Sequence, residues 1–207
     1  MIQVDPPFDL GETLKGTDDD GNLINEQWAG AVYQFPDVDR TPPLRGGKSR
    51  RSGHVITAIC LRNVNAAVEL ACASKLMRVD LSPTANSGDA TAAAVTAKYF
   101  NAVDALATTG AGELVVVGDP ELSDVVKKND LFWCIIKGPA QVAMKTSSNI
   151  AVGDLIGDSD TEGVAAELTP ASGDTIATNR NVVGRAMEAN ASTGAGATVA
   201  VLVNIIL

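Results

Sequence analysis

Residues 129–144, NDLFWCIIKGPAQVAM, open a succession of short apolar stretches. It continues as NIAVGDLIGDSD (149–160), NVVGRAMEAN (181–190) and ATVAVLVNIIL (197–207), with Gly-Asp, Gly-Pro and Ser/Thr/Gly-rich turns between the stretches. Short apolar runs bounded by turn residues are typical of strands in a barrel or a sandwich. We therefore predict a mainly β fold, with a compact β-barrel or β-sandwich body, one or two short helices and an extended N-terminal arm.

The sequence upstream of this region has the same pattern and one ambiguous segment. Residues 87–106 fit either a helix capped by Asp89, because alanines follow it, or a strand, because AVTAKYF alternates. A short helix is predicted over residues 121–128, since Pro120 lies near its first position and Lys127 near its end. Further strands are predicted at residues 54–64, 66–72, 76–81 and 114–117.

The first 53 residues differ from the rest of the chain. Pro and Gly interrupt every long element, and the segment is acidic up to Asp39 before it turns basic. Such a run is either a disordered tail or an arm that becomes ordered on a partner. We favour the arm, because disordered tails are usually poor in aromatic residues and this segment contains half of those in the chain. The predicted organisation is an extended N-terminal arm at residues 1–53 and a β-rich body at residues 54–207.

Composition and charge narrow the choice of partners. The net charge of −9 on 207 residues disfavours a nucleic-acid partner, whose phosphates need Lys and Arg contacts. The first residues lack the basic and apolar regions of a signal peptide, and no apolar run is long enough to span a membrane. Cys60, Cys72 and Cys134 form no CxxC pair, which indicates buried, reduced thiols. We expect a protein that is made in a cytoplasm and has neither a nucleic-acid nor a membrane partner.

Two motifs resemble ligand sites but lack essential positions. Residues 46–49, GGKS, look like the end of a phosphate-binding loop, but Pro42 stands where the earlier glycine is required. Residues 158–163 imitate the start of a calcium loop, but its twelfth position is Thr169 instead of Glu. His54 is the only histidine, and no Ser or Cys lies in a recognisable nucleophile motif. We predict no cofactor, no metal and no catalytic residue, and hence a protein that is not an enzyme.

Four motifs of the last third resemble the capsid decoration proteins of tailed bacteriophages, also called cement or head-stabilisation proteins. They are residues 129–139, the turn at 152–154, VGRAMEA at 183–189 and VAVLV at 199–203. The resemblance implies a non-enzymatic structural protein that binds the outside of a phage capsid, bridges major capsid subunits and stabilises the expanded head. It also implies a homotrimer at threefold or quasi-threefold positions, on the outer surface of the virion.

Two sets of residues are candidates for contacts in such an assembly. Aromatic residues and Arg dominate the energy of protein interfaces, so arm residues are the candidate capsid contacts. A closing strand that is apolar on both faces indicates protein on both sides, so its residues are the candidate subunit contacts. The capsid set is Phe8, Trp28, Tyr33, Phe35, Arg45, Lys48, Arg50 and Arg51, and the subunit set is Val201, Val203, Ile205 and Leu207.

Two other classes of function stay open. A receptor- or glycan-binding module of a virion fibre has a similar β-rich sequence, but we expect it to follow a repetitive shaft, which this sequence does not contain. A small hydrolase would need a nucleophile or acids with perturbed pKa values in a cleft.

Overall fold

The computed structural model describes residues 6–38, 50–65, 69–79, 102–107, 115–123, 125–145, 149–168, 182–191 and 199–206. In these ranges the chain forms fifteen strands and a short 3-10 helix, Glu26–Trp28. The strands are β1 (Thr13–Leu14), β2 (Val32–Val38), β3 (Arg50–Asn63), β4 (Glu69–Leu70), β5 (Leu76–Val79), β6 (Ala102–Leu106), β7 (Val115–Gly118), β8 (Val126–Lys127), β9 (Leu131–Met144), β10 (Asn149–Ile150), β11 (Leu155–Asp158), β12 (Ala165–Glu167), β13 (Val182–Ala186), β14 (Asn190–Ala191) and β15 (Val199–Ile206). No helix within the described ranges is long and apolar enough to cross a membrane.

Two closed rings of hydrogen-bonded strands share the long strand β9. In the first ring β9 is followed by β15, β13, β11 and β12, and the ring closes where Ala165 of β12 pairs with Met144 of β9. In the second ring the order is β9, β7, β5, β6 and β3, and β3 closes the ring by pairing with β9 along residues 57–62. Each ring has five strands, and closure gives every strand of a ring two neighbours.

A bulge allows β9 to serve both rings. Residues 57 and 58 of β3 pair with residues 137 and 135 of β9, so Ile136 is an extra residue in this ladder. As a result, odd-numbered residues such as Trp133 face the larger core before the bulge, and even-numbered residues such as Val142 face it afterwards. Gly138 follows the bulge with φ of 103°, and a Cβ there would lie 2.5 Å from the carbonyl oxygen of Val55.

Two clusters of buried apolar side chains form the core. The smaller cluster takes a residue from each strand of the second ring, which places it inside that ring: Leu61, Met77, Val103, Val116 and Phe132. The larger cluster contains residues from each strand of the first ring. It continues across the opposite face of β9 and β3 to the N-terminal part of the chain.

The strand β2 ends the sheet order and pairs antiparallel with β3. Its side chains alternate, because Val32 and Pro36 are exposed whereas Phe35 is buried. Proline cannot donate to a β-ladder and is therefore confined to the first residue of a strand, to bulges or to the end of a sheet, where Pro36 lies. β2 thus has one face on the core and one face in solvent, while Ile59 of β3, which pairs with Val32, packs against the smaller core.

The prediction of a mainly β fold is confirmed, and the body contains a closed five-stranded barrel with further strands. The helix predicted over residues 121–128 is wrong. The carboxylate of Asp119 accepts the backbone N–H of Glu121 at 2.9 Å, and the chain then pairs β8 with β4. Burial of Leu122 and Val126 in the smaller core favours this path, because so short a helix gains little from its own hydrogen bonds.

Two further sequence predictions concern the ambiguous segment at residues 87–106 and the boundary of the arm. Residues 102–106 of the ambiguous segment form β6, and residues 87–101 lie outside the described residues. The arm boundary predicted at residue 53 falls inside β3, and the residues before it contribute to the same core as the body.

Candidate functional site

The centre of the candidate site is the indole of Trp133, around which aromatic residues of the N-terminal region pack. Phe8 stacks on it with ring centroids 5.0 Å apart, while Phe35 and Tyr33 meet it edge-on at 5.2 and 5.5 Å. Trp28 extends the cluster outward through Tyr33, at 6.5 Å. Aromatic pairs with such geometry are worth about 0.5–1.5 kcal/mol each beyond the area that they bury.

The buried side chain of Arg62, in β3, binds main-chain carbonyl oxygens of the N-terminal region. One terminal nitrogen of Arg62 donates to the carbonyl oxygens of Gly16 and Asn129, at 3.0 and 2.8 Å, and the other donates to that of Ile24 at 3.1 Å. Burial lowers the pKa of this guanidinium, whereas the nearby carboxylates of Glu26 and Asp130 oppose the shift. The group stays charged, because an arginine side chain does not lose its proton in proteins.

Two carboxylates bind backbone N–H groups of the same region. Asp119, which has no exposed surface, accepts from the N–H of Gly11, and Asp130 accepts from the N–H of Gly16 at 3.0 Å. The indole N–H of Trp133 completes the set by donating to the carbonyl oxygen of Phe8 at 3.1 Å. We call Arg62, Asp119, Asp130 and Trp133 the docking site, and residues 6–29 the N-terminal segment.

The docking site requires a glycine at one position of the segment. A Cβ on Gly16 would lie 1.7 Å from the carbonyl oxygen of Asn129 and 2.7 Å from a terminal nitrogen of Arg62. Neither atom can move away, because both belong to the hydrogen bonds that hold the segment. Gly16 therefore allows the two backbones to approach each other closely.

The candidate capsid contacts of the arm have several placements. Phe8 and Phe35 are buried in the larger core, and Trp28 and Tyr33 are partly buried against it. Arg50 and Arg51 begin β3, while Arg45 and Lys48 lie outside the described residues. The role of these eight residues in a capsid contact stays a prediction. The four aromatic residues are brought together, and the two most buried, Phe8 and Phe35, can support such a contact only by fixing the N-terminal segment and β2 in place.

The candidate subunit contacts of the closing strand lie in the first ring. Val203 and Ile205 are fully buried within the chain, where β15 pairs with β9 on one side and β13 on the other. This burial accounts for their apolar character without a second subunit. Val201 belongs to β15, and Leu207 lies outside the described residues. A role of this strand in subunit contact also stays a prediction.

The motif that imitates a calcium loop contains an ion pair. The ammonium group of Lys145 lies 2.5 Å from the carboxylate of Asp160, and this contact holds the pKa of Asp160 below its usual value. In the described part of the chain, no group of three or more His, Cys, Asp or Glu side chains is arranged to hold a metal ion. The GGKS tract at residues 46–49 lies outside the described residues.

The three thiols are buried. Burial raises the pKa of Cys60 and of Cys72 to about 12, and it raises that of Cys134 well above its usual value. All three are therefore protonated at neutral pH, and a protonated thiol is a poor nucleophile.

One solvent-facing surface of the β2–β3 pair carries exposed apolar residues. Val32 is 53% exposed and Val55 is 49% exposed. Val55 pairs with Pro36 across the two strands, so both project to the same side as Val32 and Gln34. We call these four residues the outer face. Its apolar residues are a candidate surface for another protein.

The docking site was missed by the sequence interpretation, although one signal for it is present. Arg62 and Asn63 interrupt the apolar run HVITAICLRNV, and a charged residue in a buried strand must be paired or hydrogen-bonded. The partners of Arg62 are main-chain carbonyls distant in sequence, which carry no sequence signal. In the sequence Asp119 and Asp130 look like ordinary turn residues, because the backbone N–H groups of the N-terminal segment that they bind are also distant in sequence.

Comparisons with known proteins give the chain no family. No family model matches it, and no curated protein matches it. Among solved structures, it is similar to the N base of the head fiber protein gp8.5 of bacteriophage phi29, with 18% sequence identity and a TM-score of 0.37. The match covers 72% of this chain and 93% of the other. A likeness at this TM-score carries no argument about the fold or the function of this chain.

Proposed function

We propose that this chain is a non-enzymatic structural protein of a phage virion that binds the outside of the capsid. In this proposal it bridges major capsid subunits and stabilises the expanded head, as a trimer at threefold or quasi-threefold positions. The resemblance of the last third to capsid decoration proteins supports the proposal. The net charge of −9 also supports it, because an acidic protein is repelled by packaged DNA and is better placed outside the shell.

The observation that carries the proposal is the outer face. Val32 and Val55 are among the few large apolar side chains that the described residues expose, and they lie on one side of the β2–β3 pair. This pair leads along the sequence into residues 40–51, RTPPLRGGKSRR, which contain five basic and no acidic residues. Exposed apolar side chains that are followed in the sequence by a basic tract fit an acidic protein surface with an apolar centre, the usual anatomy of a protein interface.

The packing of β2 on Trp133 supports the same role from the other side of the sheet. Phe35 and Tyr33 of β2 pack on Trp133 while Val32 and Pro36 face solvent. The docking site therefore fixes the strand that presents the outer face, and a fixed surface loses less entropy when it binds. In a trimer, the first contact with the capsid also makes each later contact intramolecular, and these later contacts form at a high effective concentration.

Electron microscopy of expanded, undecorated heads mixed with the purified protein tests the proposal. We expect added density outside the shell at threefold positions. Bare shells at saturating protein would contradict it and leave the fibre module as the working hypothesis.

A matched pair of variants tests the role of the outer face. Val55→Asp places a charge on that face, whereas Val152→Asp places one at a distant turn residue that is 67% exposed. We expect Val55→Asp to weaken head binding about tenfold or more, because a desolvated charge costs more than 1.4 kcal/mol, and Val152→Asp to bind like the native chain. Equal binding by both variants would exclude the outer face as the contact.

A further inference from the structure

We propose that the N-terminal segment exchanges between copies of this chain, so that residues 6–29 of one copy occupy the docking site of another. This inference goes beyond the proposed function and does not depend on it, because it concerns two copies of the protein in solution. Four features of the described residues carry it: the atoms that make the contact, the position of the hinge, the local character of the segment's own contacts and the balance of energies.

The docking site holds the segment by its main chain. The N–H groups of Gly11 and Gly16 donate to carboxylates of the body, and the carbonyl oxygens of Phe8, Gly16 and Ile24 accept from Trp133 and Arg62. The side chain of Phe8 adds the stacking contact with Trp133. Every one of these contacts is reproduced when the segment comes from a second copy, since the sequences are identical.

A single hinge separates the segment from the rest of the chain. All of these contacts lie before Gly30, which has φ of 86° and follows the 3-10 helix after Ala29. Beyond it, the N–H of Cys60 donates to the carbonyl oxygen of Ala31 at 2.8 Å, and β2 then pairs along β3. Rotation at Gly30 breaks two main-chain bonds, from the N–H of Gly30 to the carbonyl oxygen of Cys60 at 2.7 Å and from the N–H of Ala31 to that of Trp28 at 2.9 Å. The rest of β2 stays in place, and glycine has the backbone freedom that the rotation needs.

The segment's own contacts are local, so it keeps them when it moves to another copy. They are the turn closed by the bridge between Thr17 and Leu23, the bonds from the N–H of Ile24 to the carbonyl oxygen of Gly16 and from the side-chain amide of Asn25 to that of Lys15, the ion pair of Lys15 with Asp19, and the three-residue 3-10 helix. Phe8 and Leu10 are buried only because they join the larger core of the body.

The energies of the two arrangements differ little. Exchange replaces each docking contact by an identical one, so the cost is that of bringing two copies together and of breaking the two main-chain bonds at Gly30. The attached segment competes at an effective concentration of about a millimolar. We therefore expect exchange to become substantial as the protein approaches that concentration, and wherever copies are crowded side by side.

Crosslinking between two differently tagged full-length variants tests the proposal. Thr13 of the segment and Ser123 of the body line the same cavity, and both are exposed, whereas the three native thiols are buried. Chains carrying Thr13→Cys and Ser123→Cys are co-expressed, concentrated to about a millimolar and treated with a short bis-maleimide. The control combines Ser123→Cys with Val152→Cys, a distant exposed position. We expect several-fold more covalent heterodimer than in the control, and equal yields would overturn the proposal.

A hinge variant provides a second, independent readout. Gly30→Ala strains the closed form, because alanine disfavours a positive φ, and exchange relieves that strain at the hinge. Gly21→Ala is the matched control, since Gly21 has nearly the same φ of 85° and open space for a Cβ but lies inside the turn, where exchange changes nothing. We expect Gly30→Ala to increase the heterodimer yield roughly fivefold over Gly21→Ala, and no difference would contradict the hinge.

Discussion

The side chain of Trp133 holds Phe8 twice, once through the ring and once through the main chain. The two rings stack at 5.0 Å, and the indole N–H donates to the carbonyl oxygen of Phe8 at 3.1 Å. Phe8 is 125 positions away in the sequence, yet it is only 8% exposed and belongs to the larger core. The N-terminal segment is therefore part of the folded body, and its aromatic residues serve to hold it there.

Trp133→Phe weakens both parts of this relationship. The variant keeps a smaller aromatic ring against Phe8 but leaves a cavity at this fully buried position, and it removes the indole N–H, so that a buried carbonyl oxygen loses its donor. We expect a loss of about 2–4 kcal/mol in the free energy of unfolding, measured by urea denaturation with circular dichroism. We also expect faster hydrogen exchange in residues 6–16. Trp28→Phe changes the other tryptophan and leaves the Phe8 bond intact, so similar losses in both variants would contradict this assignment.

Gly16→Ala tests the close approach of the segment to the body. Its Cβ would overlap the carbonyl oxygen of Asn129 at 1.7 Å, so the segment can bind only after the docking site has been distorted. We expect a loss of about 3 kcal/mol or more, together with loss of hydrogen-exchange protection in the segment. Gly21→Ala introduces only backbone strain, because nothing lies within 4 Å of its Cβ, and we expect it to cost about 1 kcal/mol. Equal losses would show that the approach at Gly16 is not tight.

The strands could be predicted from the sequence because their signal is local. The apolar runs at residues 54–64 and 129–144 overlap β3 and β9, although β3 begins earlier, at Arg50. The closure of two rings on β9 could not be predicted, since the bulge at Ile136 carries no local signal. It arises from the requirement that one strand face two cores, which is a property of the whole fold.

The arm was predicted because of its composition. Its contacts with the body could not be predicted, since they join pairs of groups that are distant in sequence. Aromatic content favoured an arm that becomes ordered on a partner, which stays a prediction, whereas Phe8 and Phe35 lie in the core of the same chain. The helix predicted over residues 121–128 failed because local propensity ignored the buried Asp119 and the pairing of β8 with β4. Tertiary contacts outweigh propensity in so short a segment.

Arg62→Lys tests whether the fork of the guanidinium is needed in addition to its charge. A lysine keeps the charge, but its single nitrogen cannot reach the three carbonyl oxygens that the two terminal nitrogens of Arg62 bind. We expect a loss of about 2–4 kcal/mol in the free energy of unfolding. Arg185→Lys is the control, because the exposed Arg185 also donates to a carbonyl oxygen, that of Gly153 at 2.9 Å, and we expect less than about 0.5 kcal/mol there. A small loss at Arg62 would mean that other groups hold the segment.

The buried thiols make stability depend on alkaline pH. Because the folded-state pKa of Cys60 and Cys72 is raised from 9.0 to about 12, the folded chain keeps protons that the unfolded chain loses above pH 9. Their contribution to stability is therefore complete below pH 9 and is lost progressively between pH 9 and 12. At pH 10 each thiol lowers the free energy of unfolding by about 1.4 kcal/mol.

Urea denaturation between about pH 8 and pH 10 measures this effect, with Cys72→Ala as the comparison. That variant removes one titrating thiol, so its free energy of unfolding should fall by about 1.4 kcal/mol less than that of the native chain over this range, whatever its stability at pH 8. All other side chains are the same in both proteins, so their contributions cancel in the difference. The same pH dependence in both proteins would mean that Cys72 ionises in the folded chain, and that solvent reaches the core of the second ring.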